Sequence, residues 1–332
     1  MKSMKNKWTG GQYSLFRAIL GLFLIIYYLK DLVFFPTIEG FFALMGVAAA
    51  IFLLVGKNDR IAALILTALL IGRLIVVEMD PRTVALLALV VFHACLPKYP
   101  YGSWDAQERS AQNRHWRMPQ RYYFSKWVVM GLLYIWWAFW ASNPTGGMMA
   151  FLVVVAFLIL ALSDAIRPLI WLLMWLFQIV LFAKGNPNGI LLLAHWLLFD
   201  PGWIKSQKRG HDHILFYDAP CGLCSSFIRF LLAERPDQDQ LKFASLKGAT
   251  AQKLLEGTEG DTVILYHHGH KLLRWKAVAA LLAELGGLWR LIAPIVKIFP
   301  DYLYNFIARH RHKVKRQACN LIPVEDQESF LP

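Results

Sequence analysis

The chain has 332 residues, 57% of them hydrophobic and 14% aromatic, with only 17% charged, whereas a water-soluble domain carries about 25% charged residues, so the composition points to a membrane protein. Four cysteines exclude a disulfide framework. The net charge of +13 comes without the interleaved aromatic and basic module of a nucleic-acid binder, and in a multispanning protein it marks cytoplasmic loops that face anionic lipid.

The hydrophobicity lies almost entirely before Asp200. A basic start (Lys2, Lys5, Lys7) leads into Leu15 to Leu29 without a small-residue cleavage site, so this segment is expected to be an uncleaved first helix rather than a signal peptide. Apolar segments follow at Phe41 to Val55, Ile61 to Val77, Val84 to Leu96, Trp127 to Ala141, Met148 to Leu162, Leu169 to Ala183 and Ile190 to Ile204. Several fall short of the roughly 20 residues that a perpendicular span needs. Turn chemistry separates them at Gly56 to Arg60, Glu78 to Pro81, Asn143 to Gly147 and Lys184 to Gly189.

Lysine and arginine placement sets the expected orientation. With the N-terminus in the cytoplasm, Lys57, Arg60, Lys98, Arg109, Arg114, Arg117, Arg121, Lys126 and Arg167 fall on that side, and the linker with Lys205, Lys208 and Arg209 joins them if residues 190–204 cross. The expectation is an integral, multi-pass protein of a bacterial plasma membrane with its C-terminal domain cytoplasmic. Ionisable and polar residues within or beside the apolar segments need partners or a function. Arg73 is expected to pair with Glu78, and Glu78 with Arg82; His93 and His195 read as hydrogen-bonded bundle histidines, Cys95 as a small buried hydrophobe, and Arg17 and Gln178 as further polar intrusions.

The organising stretch comes after the linker. Ile214 to Tyr217 reads as a buried strand, Asp218-Ala219-Pro220 as a tight turn, and Cys221-Gly222-Leu223-Cys224 as the opening of a helix. A spacing of three puts both sulfurs on one helical turn, with Cys221 at an exposed helix start, where unpaired N–H groups and the helix dipole favour a nucleophilic thiolate. Periodicity and turn signals continue with a helix to Glu234, strand Leu241 to Leu246, a short helix Thr250 to Glu256, strand Thr262 to Tyr266, a turn at His267 to Gly269, strand Lys271 to Trp275 and helix Lys276 to Leu285. That is the thioredoxin order. The cis-proline that thioredoxins place before the third strand is replaced here by Asp261-Thr262. Leu288 to Phe299 and Asp301 to His312 are amphipathic and rich in aromatic and basic residues, suited either to a membrane surface or to the core of the domain.

Two resemblances follow from these residues. Asp218-x-x-Cys221-x-x-Cys224 after Phe216-Tyr217, Phe227-x-x-Phe230-Leu231-Leu232, Asp261 to Leu265, Leu285 to Arg290, Tyr304 to Arg309 and Cys319 to Pro323 resemble the DCC family of thiol-disulfide oxidoreductases over His213 to Pro323. Tyr13 to Gly21 and His195 to Trp203 are similar to the horizontally transferred transmembrane domain shared by relatives of vitamin K-dependent gamma-carboxylases. No lysine is expected inside a span to serve as the carboxylase base, so carboxylation is not inferred.

The fold expected is a multispanning all-α membrane domain (1–204), a basic linker (205–212), an α/β thioredoxin-like domain (213–287), and an amphipathic helical extension and tail (288–332). The function expected is membrane-anchored thiol-disulfide exchange. Cys221 attacks a partner disulfide and Cys224 resolves the mixed disulfide; Asp218 takes the proton of Cys224 or caps the helix. Pro220 and Gly222 shape the turn, and Cys319 is a structural residue or a disulfide relay. The expected partners are a thiol or disulfide protein, or a small thiol, together with lipid. No cofactor beyond the dithiol is required, and a quinone is an optional electron acceptor. Two other readings remain open. One is a transport, lipid or quinone protein in which the C-terminal domain serves as sensor or docking module. The other is a metal module joining Cys221 and Cys224 to His211, His213, His267, His268 or His270.

Overall fold

The computed structural model describes residues 8–34, 38–76, 80–108, 116–141, 152, 154–156, 159, 163, 165–183, 189–206, 213–219, 221–235, 241–255, 262–267, 269–310 and 328–332. Among the described residues the protein is mostly helical with one small mixed sheet late in the chain. It divides into two compact units, one of Met1–Glu108 and Arg117–Asp200, the other of Arg109–Trp116 and Pro201–Pro332.

The first unit contains helices α1 (Gly10–Phe34), α2 (Ile38–Val55), α3 (Asp59–Val76), α4 (Pro81–Cys95), α5 (Trp104–Glu108), α6 (Gln120–Ala141), α7 (Arg167–Ala183) and α8 (Gly189–Leu198). Helices adjacent in sequence pack together from α1 to α4, and α8 packs against α1, α4, α6 and α7. The expected turn signals act as caps. Asp80 accepts the N–H of Thr83 at 3.1 Å, and Pro81 opens α4 at a position whose N–H has no helical partner anyway.

Among the described residues no single helix is long and apolar enough to cross a membrane. Glu39–Val55, Pro81–Cys95, Arg167–Val180 and Gly189–Leu198 are apolar but short, while the 25-residue α1 carries Arg17, Lys30 and Asp31. The multispanning architecture expected from composition is therefore not carried by any one of these helices. The apolar segment Met148 to Leu162 lies largely outside the described residues.

The second unit follows the order read from periodicity. After the 3-10 turn Pro201–Trp203 come β1 (His213–Tyr217), α9 (Gly222–Glu234), β2 (Lys242–Ser245), α10 (Ala249–Leu254), β3 (Ile264–His267), β4 (His270–Leu273), α11 (Arg274–Leu285), α12 (Gly287–Ile298), α13 (Asp301–His310) and β5 (Phe330–Leu331). The sheet order is β4-β3-β1-β2-β5, with β1 parallel to β2 and antiparallel to β3. Alternation places Leu215, Phe243 and Leu265 on one face, against α9 and α11, and Phe216, Ala244 and Ile264 on the other, against α10. The edge strand β5 was not expected, because Phe330 and Leu331 are too short a run to signal a strand. Long-range pairing makes it: Phe243 N–H donates to Ser329 O at 2.8 Å and Thr250 N–H to Pro332 O at 2.9 Å.

Gly286 joins α11 to α12 with φ +74° and ψ −167°, a region essentially confined to glycine. A Cβ there would also lie 2.9 Å from the backbone N of Ser206. Gly286→Ala is expected to destabilise this unit by about 1–3 kcal/mol, measured as a lowered midpoint of chemical unfolding; an unchanged midpoint would show that the junction relaxes freely.

Candidate active site

Strand β1 ends at Tyr217 and delivers the chain into a turn closed by the Cys221 N–H, which donates to Asp218 O at 3.1 Å. Cys221 is the N-cap of α9, with extended backbone at φ −82° and ψ 119°, and its Sγ accepts the N–H of Cys224 at 3.4 Å. Cap and third helical residue face each other at any helix start, because the cap side chain turns back over the first turn. A C-x-x-C beginning at the cap therefore places both cysteines on the first helical turn, with the Cys221 sulfur over the main chain of Cys224. The hydroxyl of Ser225 donates to Cys221 O at 3.1 Å, and the hydroxyl of Ser226 to Gly222 O at 2.9 Å.

Cys221 and Cys224 are not joined in a disulfide, and both are buried. Cys221 is 1% exposed and Cys224 is 6% exposed, which corrects the expectation of an open Cys221. Using its sulfur as the helix cap turns the thiol inward instead of into solvent. Leu223, between the two cysteines, is the exposed residue of the motif at 38%. Asp218 is also buried. The capping group is Cys221 Sγ, and the main-chain carbonyl of Asp218 accepts the Cys221 N–H that closes the turn. Gly222 starts the helix, whereas Pro220 and Cys319 lie outside the described residues.

Of the histidines proposed as metal partners, the described ones, His213, His267 and His270, are not beside the cysteines. His213 begins β1 and Cys221 follows its far end, so the strand alone separates them by about 13 Å. His213 meets His267 across the β1–β3 ladder, with ring centroids 4.0 Å apart, and its Nδ1 lies 3.3 Å from Glu284 Oε1. Among the described residues no group of three or more metal-ligating side chains is gathered. His211 and His268 lie outside the described residues.

The first unit buries a second set of polar groups that sequence reading resolved only in part. Tyr13 OH bonds His93 Nδ1 at 2.6 Å, His93 Nε2 lies 3.7 Å from Asp59 Oδ2, and Arg17 lies 3.6 Å from the same oxygen. Arg17 passes directly over Gly56, where a Cβ would collide with its guanidinium. His195 bonds Tyr134 OH through Nδ1 at 2.7 Å and donates from Nε2 to Trp171 O at 2.8 Å. That carbonyl only accepts, which fixes the Nε2–H tautomer and leaves neither ring nitrogen for a ligand.

Arg73 pairs with Asp31 on α1; the expected pairs of Glu78 with Arg73 and Arg82 fall on Glu78, which lies outside the described residues. Two other assignments from sequence are corrected. Cys95, at the last residue of α4, is exposed rather than buried. Lys126, expected in a basic loop, is buried in α6, its ammonium 4.3 Å from the ring centre of Tyr123 and 3.4 Å from Phe199 O. The helix begins at Gln120 and so takes in Lys126 ahead of the apolar run.

With this geometry in place, residues 215–317 match the DCC1-like thiol-disulfide oxidoreductase family. This stretch is a DCC1-like domain. The match spans β1 through the end of α13 and includes Asp218, Cys221 and Cys224. No curated protein and no solved structure matches the chain. The resemblance of the first unit to gamma-carboxylase relatives has no counterpart in these comparisons.

The burial of the DCC1-like dithiol has a direct chemical consequence. Maleimide added to the native, reduced protein is expected to modify exposed Cys95 ahead of Cys221 and Cys224, by about tenfold or more. Peptide mass mapping over a time course measures this, and equal rates would mean that the cap opens freely.

Proposed function

We propose that the protein is a thiol-disulfide oxidoreductase acting through Cys221 and Cys224, with Asp218 as the proton acceptor for the resolving thiol. The observation that carries this reading is the pairing of both cysteines on the first turn of α9 in a segment that matches the DCC1-like family. The sheet order β4-β3-β1-β2, with α9 and α11 on one face, supports a thioredoxin-like scaffold for the reaction.

In the proposed cycle the Cys221 thiolate attacks one sulfur of a partner disulfide, forming a mixed disulfide and releasing the other sulfur as a thiolate. Cys224 then loses its proton to Asp218 and attacks Cys221 Sγ. The Cys221–Cys224 disulfide forms, and the partner leaves with two reduced sulfurs. Two electrons pass from the protein to the partner, and the reverse sequence oxidises a partner dithiol. Because Cys221 is buried, the first step requires the turn at Asp218 to open enough to admit a sulfur.

The first unit is proposed to lie in a membrane, with the redox unit on the cytoplasmic side. Its polarity supports this. Leu22, Phe23, Ile26 and Leu29 of α1, Phe41, Phe42 and Leu44 of α2, Ile61, Leu64, Ile75 and Val76 of α3 and Leu169, Leu172, Leu173 and Leu176 of α7 are exposed, while Arg17, Asp59, Lys126 and Arg167 are buried. A bundle in water distributes these groups the other way round. The distribution of Lys and Arg supports the orientation.

Redox titration with mass-tagging of thiols is expected to show a reversible two-electron couple between about −280 and −120 mV; failure of Cys221 and Cys224 to form a disulfide at any potential sinks the oxidoreductase reading. Cys224→Ser is expected to accumulate a mixed disulfide through Cys221 in cells, whereas Asp218→Asn should slow resolution by about a hundredfold without changing the first attack, as followed by quenched-flow alkylation. Extraction of cell membranes with alkaline carbonate is expected to leave the chain in the pellet, and its release would remove the membrane assignment.

A further inference from the structure

Helices α12 and α13 carry an apolar surface that is exposed among the described residues. On α12, Leu291, Ile295 and Ile298 are exposed, Ile298 to 81%. At 100° per residue, these three and exposed Pro294 fall within about 100° of arc. The opposite side of the same helix is buried or half-buried through Leu288, Ile292, Ala293 and Val296. Arg290 and Lys297, seven residues apart and both exposed, line one flank of the stripe. Across a 101° bend at Phe299 and Pro300, α13 continues the surface with exposed Tyr302 and Phe306, and exposed Arg309 lies on the same side of the helix.

The bend is held in place. Trp275 Nε1 donates to Pro300 O at 3.2 Å, and Asp301 pairs with Arg274 at 3.1 Å. Tyr304 OH accepts from Val263 N–H at 3.0 Å and from Thr262 Oγ1 at 3.2 Å. The apolar surface is therefore fixed to the sheet and not a loose appendage.

We propose that the exposed faces of α12 and α13 bind the surface of an anionic phospholipid bilayer, so that the redox unit makes lipid contact of its own. Two features select lipid over a second copy of the chain. The cations Arg290, Lys297 and Arg309 border the apolar stripe, and the acidic group of α13, Asp301, is already paired with Arg274. A two-fold contact through this face would set cations against cations, whereas lipid headgroups supply negative charge along its whole length. Aliphatic and aromatic residues flanked by Arg and Lys are the composition of helices that lie in the interface.

The surface also has a definite relation to the dithiol. Ile264 pairs with Phe216, so Thr262 and Val263, which hold Tyr304, lie at the end of the sheet where β1 passes into Asp218 and Cys221. Bilayer contact at α13 would hold that end of the sheet close to the lipid headgroups. The lipid contact itself stands independently of the thiol chemistry.

The test places the photo-crosslinker p-benzoylphenylalanine singly at Ile298, Tyr302 or Phe306 of the full-length protein in bilayer nanodiscs carrying alkyne-tagged lipid, with His270 on the exposed β3–β4 hairpin as the control position. Illumination is expected to attach lipid at the three test positions and not at His270. The yield should be about fivefold higher in phosphatidylglycerol-containing discs than in pure phosphatidylcholine, with Lys297→Gln reducing that ratio. Absence of lipid adducts at all three positions, or chain-to-chain adducts in their place, overturns the proposal. Because the readout is a lipid adduct, it is unaffected by whether Cys221 and Cys224 prove redox-active.

Discussion

Strand β1 is tied on all four sides, and the redox unit depends on that. Its edges are hydrogen-bonded to β2 and β3, and its faces are buried through Leu215 and Phe216, each fully inaccessible to solvent. A slip of one residue would exchange the two faces, setting Phe216 against α9 and α11 and Leu215 against α10. The register is thus strongly determined, and with it the point at which the chain leaves the sheet. Because Tyr217 ends the strand, Asp218 must turn and Cys221 must cap the next helix. The placement of the two sulfurs follows from packing made several residues earlier.

That placement carries a tension between burial and reactivity. A thiol that caps its own helix is pre-organised toward the second cysteine but withdrawn from solvent. Local geometry favours closing the internal disulfide, a step between neighbours, over meeting an external partner. In the proposed exchange this would give selectivity, since a partner would have to displace the turn before its sulfur reached Cys221, and small oxidants without other contacts would gain nothing to offset that displacement. Exposed Leu223 lies between the cysteines, where an incoming partner would first meet apolar surface.

In the helical unit the charged and hydrogen-bonding groups are organised rather than scattered. Asp59 faces Arg17 from α1 and His93 from α4, and His93 in turn bonds Tyr13. Three helices contribute to one buried polar centre, which suits an environment where an unpaired ionisable group is costly. Gly56 belongs to the same arrangement, because only a residue without a side chain leaves room for the Arg17 guanidinium. His195, bonded through both ring nitrogens, is a structural member of its own cluster.

Much of this was accessible from the sequence because it is local. The strand, turn and helix around Cys221, the alternation of helices and strands through Leu285, and the cap at Asp80 all arise from interactions within a few residues, which periodicity and turn chemistry record directly. The sequence by itself therefore determined the dithiol, its place at a helix start and the order of elements around it. Only the tertiary structure decided that Arg73 finds Asp31, that Lys126 is buried, and that residues near 330 complete the sheet beside β2. Each of those depends on groups far apart in the chain that meet only once helices and strands have packed, and no pattern within a short window encodes such a meeting.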